Sequence, residues 1–389
     1  MNFRPCFHVV AYAALCGLAA SVSAAPLEWP AYQGNVEHSG YVPGILPTIS
    51  ANPRPVWQMQ VQATRVSGLA VTDGVVLTTP DTFFSGATPI VAQSVDDGHT
   101  IWSHDFGQIF SVNQPATANG VVYIQSSNNE GATFLHAYRI DGSFLWRVPF
   151  DSQWEHYLGP IVVDDHIYFD GGQFGGMYGM NTDDGSQIFY TNLPQYDSWS
   201  PTWHDGTLIA FTDRLDVVAA ATGQVITTIV DPDYYWSGYS PNEAPVVVGD
   251  FAYVTNGGRL IAFDLVNEDI AWQRDISATG QVTTDGTQLF VVAGGALSVR
   301  DPANGDLLWA WVPSTSGSVT TRIVVTDSHV ILGDETSTYL VNRETHAVDS
   351  TLAATGMIAY AEDTIFIADD TGTVSAYRAD DLIFASGFE

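Results

Sequence analysis

Aromatic residues concentrate in three short segments in the middle of the chain, and acidic residues lie among them. Rings with neighbouring carboxylates suit stacking on sugars or gripping an extended peptide. The segments therefore predict a surface that binds a protein or glycan partner, the alternative being that the rings pack in the core. The candidate residues are Trp154, Tyr157, Tyr196, Trp199, Trp203, Tyr235, Trp236 and Tyr239, with Tyr234 beside them.

Other residues that could do chemistry do not form a convincing site. Acidic pairs such as Asp96-Asp97 and Asp183-Asp184 recur at turn positions, where aspartate commonly caps the backbone. His99 and His104 have no third ligand nearby for a zinc ion. No G-x-S-x-G motif supports a serine hydrolase. We therefore expect no catalytic residue, no metal and no cofactor, and the sequence favours a protein that is not an enzyme.

The charge balance excludes two classes of partner. The 389-residue chain has 43 acidic residues against 12 basic ones, all of them arginine, and a net charge of -31. Such a surface repels phosphate backbones and anionic lipid headgroups. We therefore expect no nucleic-acid partner. No stretch after residue 24 reaches about 18 apolar residues, so we also expect no membrane insertion. The expected state is a monomer.

The first 24 residues resemble a secretory signal peptide. Arg4 precedes an apolar run over 9–18, and small residues at Val22 and Ala24 predict cleavage after Ala24. Cys6 and Cys16 both lie in this segment, and Leu15 before Cys16 argues against lipidation. We expect a secreted or periplasmic mature chain without cysteine.

A β-rich unit recurs about every 41 residues, which is the length of a four-stranded propeller blade. A turn glycine is followed four residues later by an aromatic residue, as in Gly142 and Trp146, and a proline precedes several units, as Pro160 does. The phased signals predict packing of the aromatic ring between adjacent blades. Eight copies of the unit begin at residues 74, 120, 165, 206, 249, 286, 328 and 363.

These repeats predict an all-β, eight-bladed β-propeller with very little helix, the alternative being seven blades. An unpaired strand-like run over 56–61 resembles the outer strand of a blade. We expect it to close the ring by completing the last blade. The expected organisation is a signal peptide (1–24), an N-terminal segment (25–55), a propeller (56–380) and a C-terminal tail (381–389).

The repeat residues also resemble a known family. Gly120–Ile124, followed by Tyr138, Gly142 and Trp146, is similar to the repeats of pyrroloquinoline-quinone (PQQ)-binding-like propellers. That family includes quinoprotein dehydrogenases and non-catalytic scaffolds. The resemblance implies a scaffold here because the mature chain lacks the cysteine pair and long insertions typical of the enzymes. The alternative function is a PQQ-dependent dehydrogenase of a small alcohol or sugar, with PQQ and calcium as cofactors.

Overall fold

The protein is built from β-strands. The computed structural model describes residues 27–81, 89–107, 109–128, 132–153, 158–313, 317–320 and 322–378. The only helix in these ranges is one 3-10 turn, Tyr32–Gly34. Over the same ranges, no helix has the length and apolar character needed to cross a membrane. The signal-peptide and C-terminal-tail predictions fall outside the described residues.

The strands are short and antiparallel. In chain order they are β1 (Trp57–Gln60), β2 (Val66–Thr72), β3 (Val75–Pro80), β4 (Pro89–Ser94), β5 (Thr100–Asp105), β6 (Ile109–Val112), β7 (Ala116–Ala118), β8 (Val121–Asn128), β9 (Thr133–Arg139), β10 (Phe144–Phe150), β11 (Ile161–Val163), β12 (His166–Asp170), β13 (Met177–Asn181), β14 (Gln187–Thr191), β15 (Thr202–His204), β16 (Thr207–Phe211), β17 (Arg214–Ala219), β18 (Val225–Val230), β19 (Val246–Val248), β20 (Phe251–Asn256), β21 (Gly258–Asp264), β22 (Asp269–Thr284), β23 (Leu289–Ala293), β24 (Ala296–Arg300), β25 (Leu307–Trp311), β26 (Val324–Val325), β27 (His329–Gly333), β28 (Thr338–Asn342), β29 (Val348–Leu352), β30 (Met357–Ala361), β31 (Thr364–Ala368) and β32 (Thr373–Arg378).

Most sheets have four strands that follow one another in the chain. In the described residues these are β2–β5, β11–β14, β15–β18 and β26–β29, and a fifth combines β30–β32 with β1. A five-stranded sheet contains β6–β10, and a seven-stranded sheet contains β19–β25. The all-β prediction and the predominance of four-stranded antiparallel sheets are therefore confirmed.

The repeat pattern locates individual strands correctly. Every predicted repeat begins one to three residues before the second strand of its unit, as Gly74 does for β3 and Gly206 for β16. Pro115, Pro160 and Pro201 each stand one residue before a first strand. Proline interrupts a strand because it lacks an N–H group.

No proline interrupts β22, which pairs with β21 near its start and with β23 near its end. That one long strand joins two units into the seven-stranded sheet.

The glycine–aromatic signal marks contacts between successive units. A Cβ added at Gly142 would lie 2.7 Å from the ring of Trp102, in the preceding unit. The Trp102 indole donates a hydrogen bond to the carbonyl oxygen of Ile140 at 2.8 Å. The predicted packing of the aromatic ring between units is confirmed, with the added detail that most of these rings lie on the glycine of the next unit, whereas Trp309 stacks on His346. The other tryptophan–glycine pairs are Trp57 with Gly98, Trp146 with Gly185, and Trp272 with Gly305.

The first strand of the chain pairs with the last. Trp57 lies opposite Ala376 and Gln60 opposite Thr373 in an antiparallel register. β1 is therefore the outermost strand of the sheet formed by β30–β32. Hydrophobic residues from both ends of the chain share one core cluster, which includes Trp57, Phe366 and Tyr377.

The first strands of successive units also contact one another. The series of neighbours runs β2, β7, β11, β15, β19, the later part of β22, β26 and β30, and β30 in turn contacts β2.

The N-terminal segment crosses these first strands. Trp29 and Val71 exchange two backbone hydrogen bonds, and Gly40 accepts a hydrogen bond from Val325. Between them, Pro30, Val36 and Ser39 accept backbone hydrogen bonds from three other units. The His38 ring is fully buried, with one nitrogen 3.0 Å from the carbonyl oxygen of Pro201. This one short segment therefore contacts the first strands of five units.

Candidate functional site

The antiparallel strands define two faces. Turns between the first and second strands lie on one face, which we call the turn face. Connections from each unit to the next, and turns between second and third strands, lie at the opposite strand ends. We call this the connection face. The N-terminal segment accepts backbone hydrogen bonds from residues beside the first turns, such as Thr117, Trp203 and Thr284. It therefore lies on the turn face.

Three predicted site residues are strongly exposed on the connection face. They lie in the connection from β18 to β19, and their exposed fractions are 61% for Tyr235, 58% for Trp236 and 50% for Tyr239. The Trp236 and Tyr239 rings meet edge to face, with centroids 5.6 Å apart and an interplanar angle of 78°. We call these three residues the ring patch. Exposed rings in such proximity are typical of an interaction surface.

The preceding connection packs beside the ring patch. The half-buried Tyr196 ring lies 5.8 Å from that of Tyr239 and 6.4 Å from that of Tyr234. The Asp197 amide donates to the carbonyl oxygen of Tyr239 at 2.7 Å, and Ser240 donates to the Asp197 carboxylate. Two of the three predicted aromatic segments thus come together.

A buried ion pair anchors the loop that bears the ring patch. Arg259 lies 2.7 Å from Asp231, whose side chain is fully buried, and it also donates to the carbonyl oxygen of Asp233 at 2.8 Å. The Asn256 side chain exchanges two hydrogen bonds with the backbone of Tyr235. These contacts fix the rings before any partner arrives, which reduces the entropy lost on binding.

The remaining predicted residues are placed differently. Trp199 is completely buried and packs in the core with Ile161 and Leu208, so it is not available to a ligand. Trp203 lies beside the first turn of its unit, and its amide donates to Val36 of the N-terminal segment. It is therefore remote from the ring patch. Trp154 and Tyr157 lie outside the described residues.

An exposed aromatic residue near the patch was not predicted. Phe174 is 67% exposed in the turn between β12 and β13, on the connection face. This turn packs tightly against the Tyr196 connection, since a Cβ added at Gly175 would lie 2.4 Å from the carbonyl oxygen of Pro194. The signal available in the sequence was an aromatic residue flanked by glycine pairs over 171–176.

A buried acid lies beneath the Tyr196 connection. Asp170 is almost fully buried and lines a small void together with Tyr196 and Asp197. Burial, reinforced by the nearby Asp197 carboxylate, holds the pKa of Asp170 well above its usual range.

The connection face contains a cavity of about 900 Å³. Its wall includes Asn242 and Glu243, which directly follow the ring-patch loop, and Arg322. Burial raises the pKa of Glu243 to about 8, although the Thr255 hydroxyl and Arg322 oppose the shift. In the part of the chain that the structure describes, no group of three or more His, Cys, Asp or Glu residues could hold a metal ion.

Repeated antiparallel four-stranded units with glycine–aromatic contacts define a propeller of PQQ-like repeats. A family model described as outer membrane protein assembly factor BamB matches residues 90–311. The chain belongs to this family of PQQ-like β-propellers. No curated protein matches the chain in sequence.

Solved structures share the fold at low sequence identity. BamB from Moraxella catarrhalis has 15% identity and a TM-score of 0.65, covering 83% of this chain and 99% of that chain. A europium-containing methanol dehydrogenase has 11% identity and a TM-score of 0.65, covering 88% of each chain. Sqt1 from Saccharomyces cerevisiae has 11% identity and a TM-score of 0.66, covering 85% of this chain and 100% of that chain.

Proposed function

We propose that the protein is a non-catalytic, eight-bladed propeller on the extracytoplasmic side of the membrane, which binds a partner protein through the ring patch. The blade number is supported by the strand shared between two units in the seven-stranded sheet. The cyclic series of first-strand contacts supports a closed ring, and the pairing of β1 with β32 supports closure by the N-terminal strand.

The proposed location rests on two observations. Residues 1–24 have the composition of a secretory signal peptide, whose removal would leave a secreted or periplasmic chain. The matching family is described as an outer membrane protein assembly factor. Residues 56–380 would form the propeller, preceded by the N-terminal segment.

The exposed ring patch carries the binding proposal. Tyrosine and tryptophan contribute strongly to protein interfaces because they bury a large area at a small entropic cost. The loop is anchored by the buried pair Arg259–Asp231, so the rings form a preorganised surface. The net charge of -31 would favour a partner with basic residues around its contact area.

The ring geometry favours a protein over a glycan. Stacking on a sugar uses the flat face of a ring, but Trp236 and Tyr239 stand at 78° to each other. One sugar face cannot stack on both rings. Rings at this angle instead suit insertion between the side chains of a protein surface.

Site-specific photocrosslinking tests the proposal. A photoreactive amino acid at position 236 of the full mature chain should give a discrete protein adduct in the native envelope. Unlabelled wild-type protein should compete, whereas a W236A/Y239A variant should not. Position 144 is the control, because Phe144 is 60% exposed on an outer strand. Equal adducts from both positions would refute the ring patch, and a glycan adduct at position 236 would change the partner class.

The quinoprotein alternative makes a separate prediction. It requires calcium ligands and a quinone site, and the described residues include no cluster of three potential metal ligands. Acidic residues also outnumber arginines in the cavity wall by five to two, which disfavours an anion with several carboxylates. Addition of PQQ and calcium with a dye acceptor and a panel of alcohols and sugars tests this function. Turnover above that of the untreated protein would establish it.

A further inference from the structure

The cavity of the connection face is a second site, separate from the ring patch. The N-terminal segment lies on the turn face, whereas the cavity wall consists of residues near the connection-face ends of the strands. Its volume of about 900 Å³ is within the range of small-molecule sites. Its wall combines hydroxyl and amide side chains, such as Thr279, Thr320 and Asn242, with charged groups.

Arg322 is the distinctive group in this wall. Its guanidinium carbon lies 4.8 Å from the centre of the Tyr32 ring, which belongs to the N-terminal segment. The Tyr32 hydroxyl is fixed in turn by a hydrogen bond to Gln281 at 3.1 Å. The Tyr32 hydroxyl also shares a hydrogen bond with Arg322. The ring and the hydroxyl together orient the guanidinium, whose five N–H donors exceed what one hydroxyl can accept, so donors remain for an anion.

Arg322 also lacks an anionic partner. Among the described residues, no carboxylate lies within ion-pairing distance of Arg322, whereas Arg65, the other arginine of the wall, lies 3.1 Å from Asp81. Glu243 is near Arg322 but is held mainly protonated at neutral pH, because burial raises its pKa to about 8. Among the described residues, Arg322 is therefore not held in an ion pair with a carboxylate of the wall.

The remaining wall charges restrict which anion can enter. Five acidic residues, including Glu335, Asp369 and Asp370, line the cavity with the two arginines. They repel phosphates and polycarboxylates but oppose a single carboxylate less strongly. A guanidinium binds one carboxylate with matched geometry. The threonine and asparagine side chains of the wall can form hydrogen bonds with the peptide groups that precede the carboxylate.

We propose that the cavity binds the carboxyl terminus of a short peptide, with the terminal carboxylate on Arg322. The peptide could be a free oligopeptide, whose ammonium group would face Glu335 and Asp370, or the end of a longer chain. This site would act independently of the ring patch.

Native mass spectrometry of the full mature protein tests the site. The probes are a random tripeptide library with free carboxyl termini, the same library amidated, and inorganic phosphate. We expect adducts with the free acids, at least tenfold fewer with the amides, and none with phosphate. Absence of adducts with the free acids, equal binding of acids and amides, or binding of phosphate alone would overturn the proposal.

Variants connect binding to Arg322. R322Q should reduce adducts at least tenfold, and R322K should retain part of the binding. R274Q is the matched control, because Arg274 lies on an outer strand with its side chain 38% exposed. Unchanged binding in R322Q would refute the role of Arg322. If R322Q fails to fold, the comparison of acids with amides still decides the question.

An N-acetylated library distinguishes the two sources of carboxylate. Retained binding would show that the end of a longer chain can enter. Loss of binding would show that the site requires the free ammonium group of an oligopeptide.

Discussion

The indole nitrogen of Trp57 donates a hydrogen bond to the carbonyl oxygen of Val95 at 2.9 Å. The Trp57 ring also occupies the space above Gly98, where an added Cβ would lie 2.6 Å from it. Trp102 makes the same pair of contacts with Ile140 and Gly142. The N-terminal strand therefore joins its neighbour through the same contact that joins internal repeats.

The glycine beneath each ring should be more sensitive to substitution than other turn glycines. G142A would place a Cβ 2.7 Å from Trp102 at a φ of +85°, and should lower the free energy of unfolding by about 2–4 kcal/mol. G120A is the control, because Gly120 has a φ of +71° but an added Cβ would meet nothing within 4 Å. It should cost about 1 kcal/mol. Urea denaturation measures both, and equal losses would contradict the packing role.

Removal of the Trp57 ring should destabilise the protein strongly. Trp57 is 7% exposed and packs between the last and first units, so W57A should cost about 3–5 kcal/mol. Met59 lies on the same strand but is 40% exposed. M59A should therefore change the free energy of unfolding by less than about 1 kcal/mol. If thermal melts show similar shifts for the two variants, β1 does not contribute a buried interface.

Breaking the buried ion pair should loosen the loop that bears the ring patch. R259Q leaves Asp231 as an uncompensated buried carboxylate, so we expect a cost of about 3 kcal/mol. Hydrogen exchange should rise at residues 231–239. R274Q breaks an exposed pair with Asp306 and should change stability by less than about 1 kcal/mol. Unchanged exchange in R259Q would show that the loop is held by other contacts.

The Glu243 carboxyl should make stability depend on pH. Its pKa rises from an ordinary 4.5 to about 8 on folding, so the native state binds a proton more tightly than the unfolded state. Its contribution to stability should therefore be greatest below pH 4.5 and fall as pH rises toward 8, by on the order of 4–5 kcal/mol. E243Q should remove this slope from the melting temperature. E335Q, at an exposed position of the same wall, should retain the wild-type slope.

Features that repeat along the chain were predictable, because the same residue types recur at the same position of successive units. Glycine turns and prolines located the strands, and the similarity of residues 56–61 to an outer strand located β1. The path of the N-terminal segment across the first strands was not predictable. Its contacts, such as His38 with Pro201, join residues far apart in sequence and occur once.

The candidate site was predictable only as a region. The equivalent positions of the aromatic connections within the repeat placed them on one face. These positions could not show which way each ring points. Trp199 turns inward, and its indole donates to the carbonyl oxygen of Tyr196 at 3.2 Å. Tyr235 and Trp236 point outward because the loop is fixed through Asp231 and Asn256 instead of through its rings.

The pairing of β1 with β32 has a consequence for biogenesis. Trp57 emerges from the ribosome long before Ala376, its partner in the sheet. The earliest strand must therefore remain unpaired until nearly the whole chain has been made, and contacts so distant in sequence form slowly. During that interval its exposed edge is a target for chaperones or for aggregation. The final step in maturation of this protein would then be the joining of its two ends.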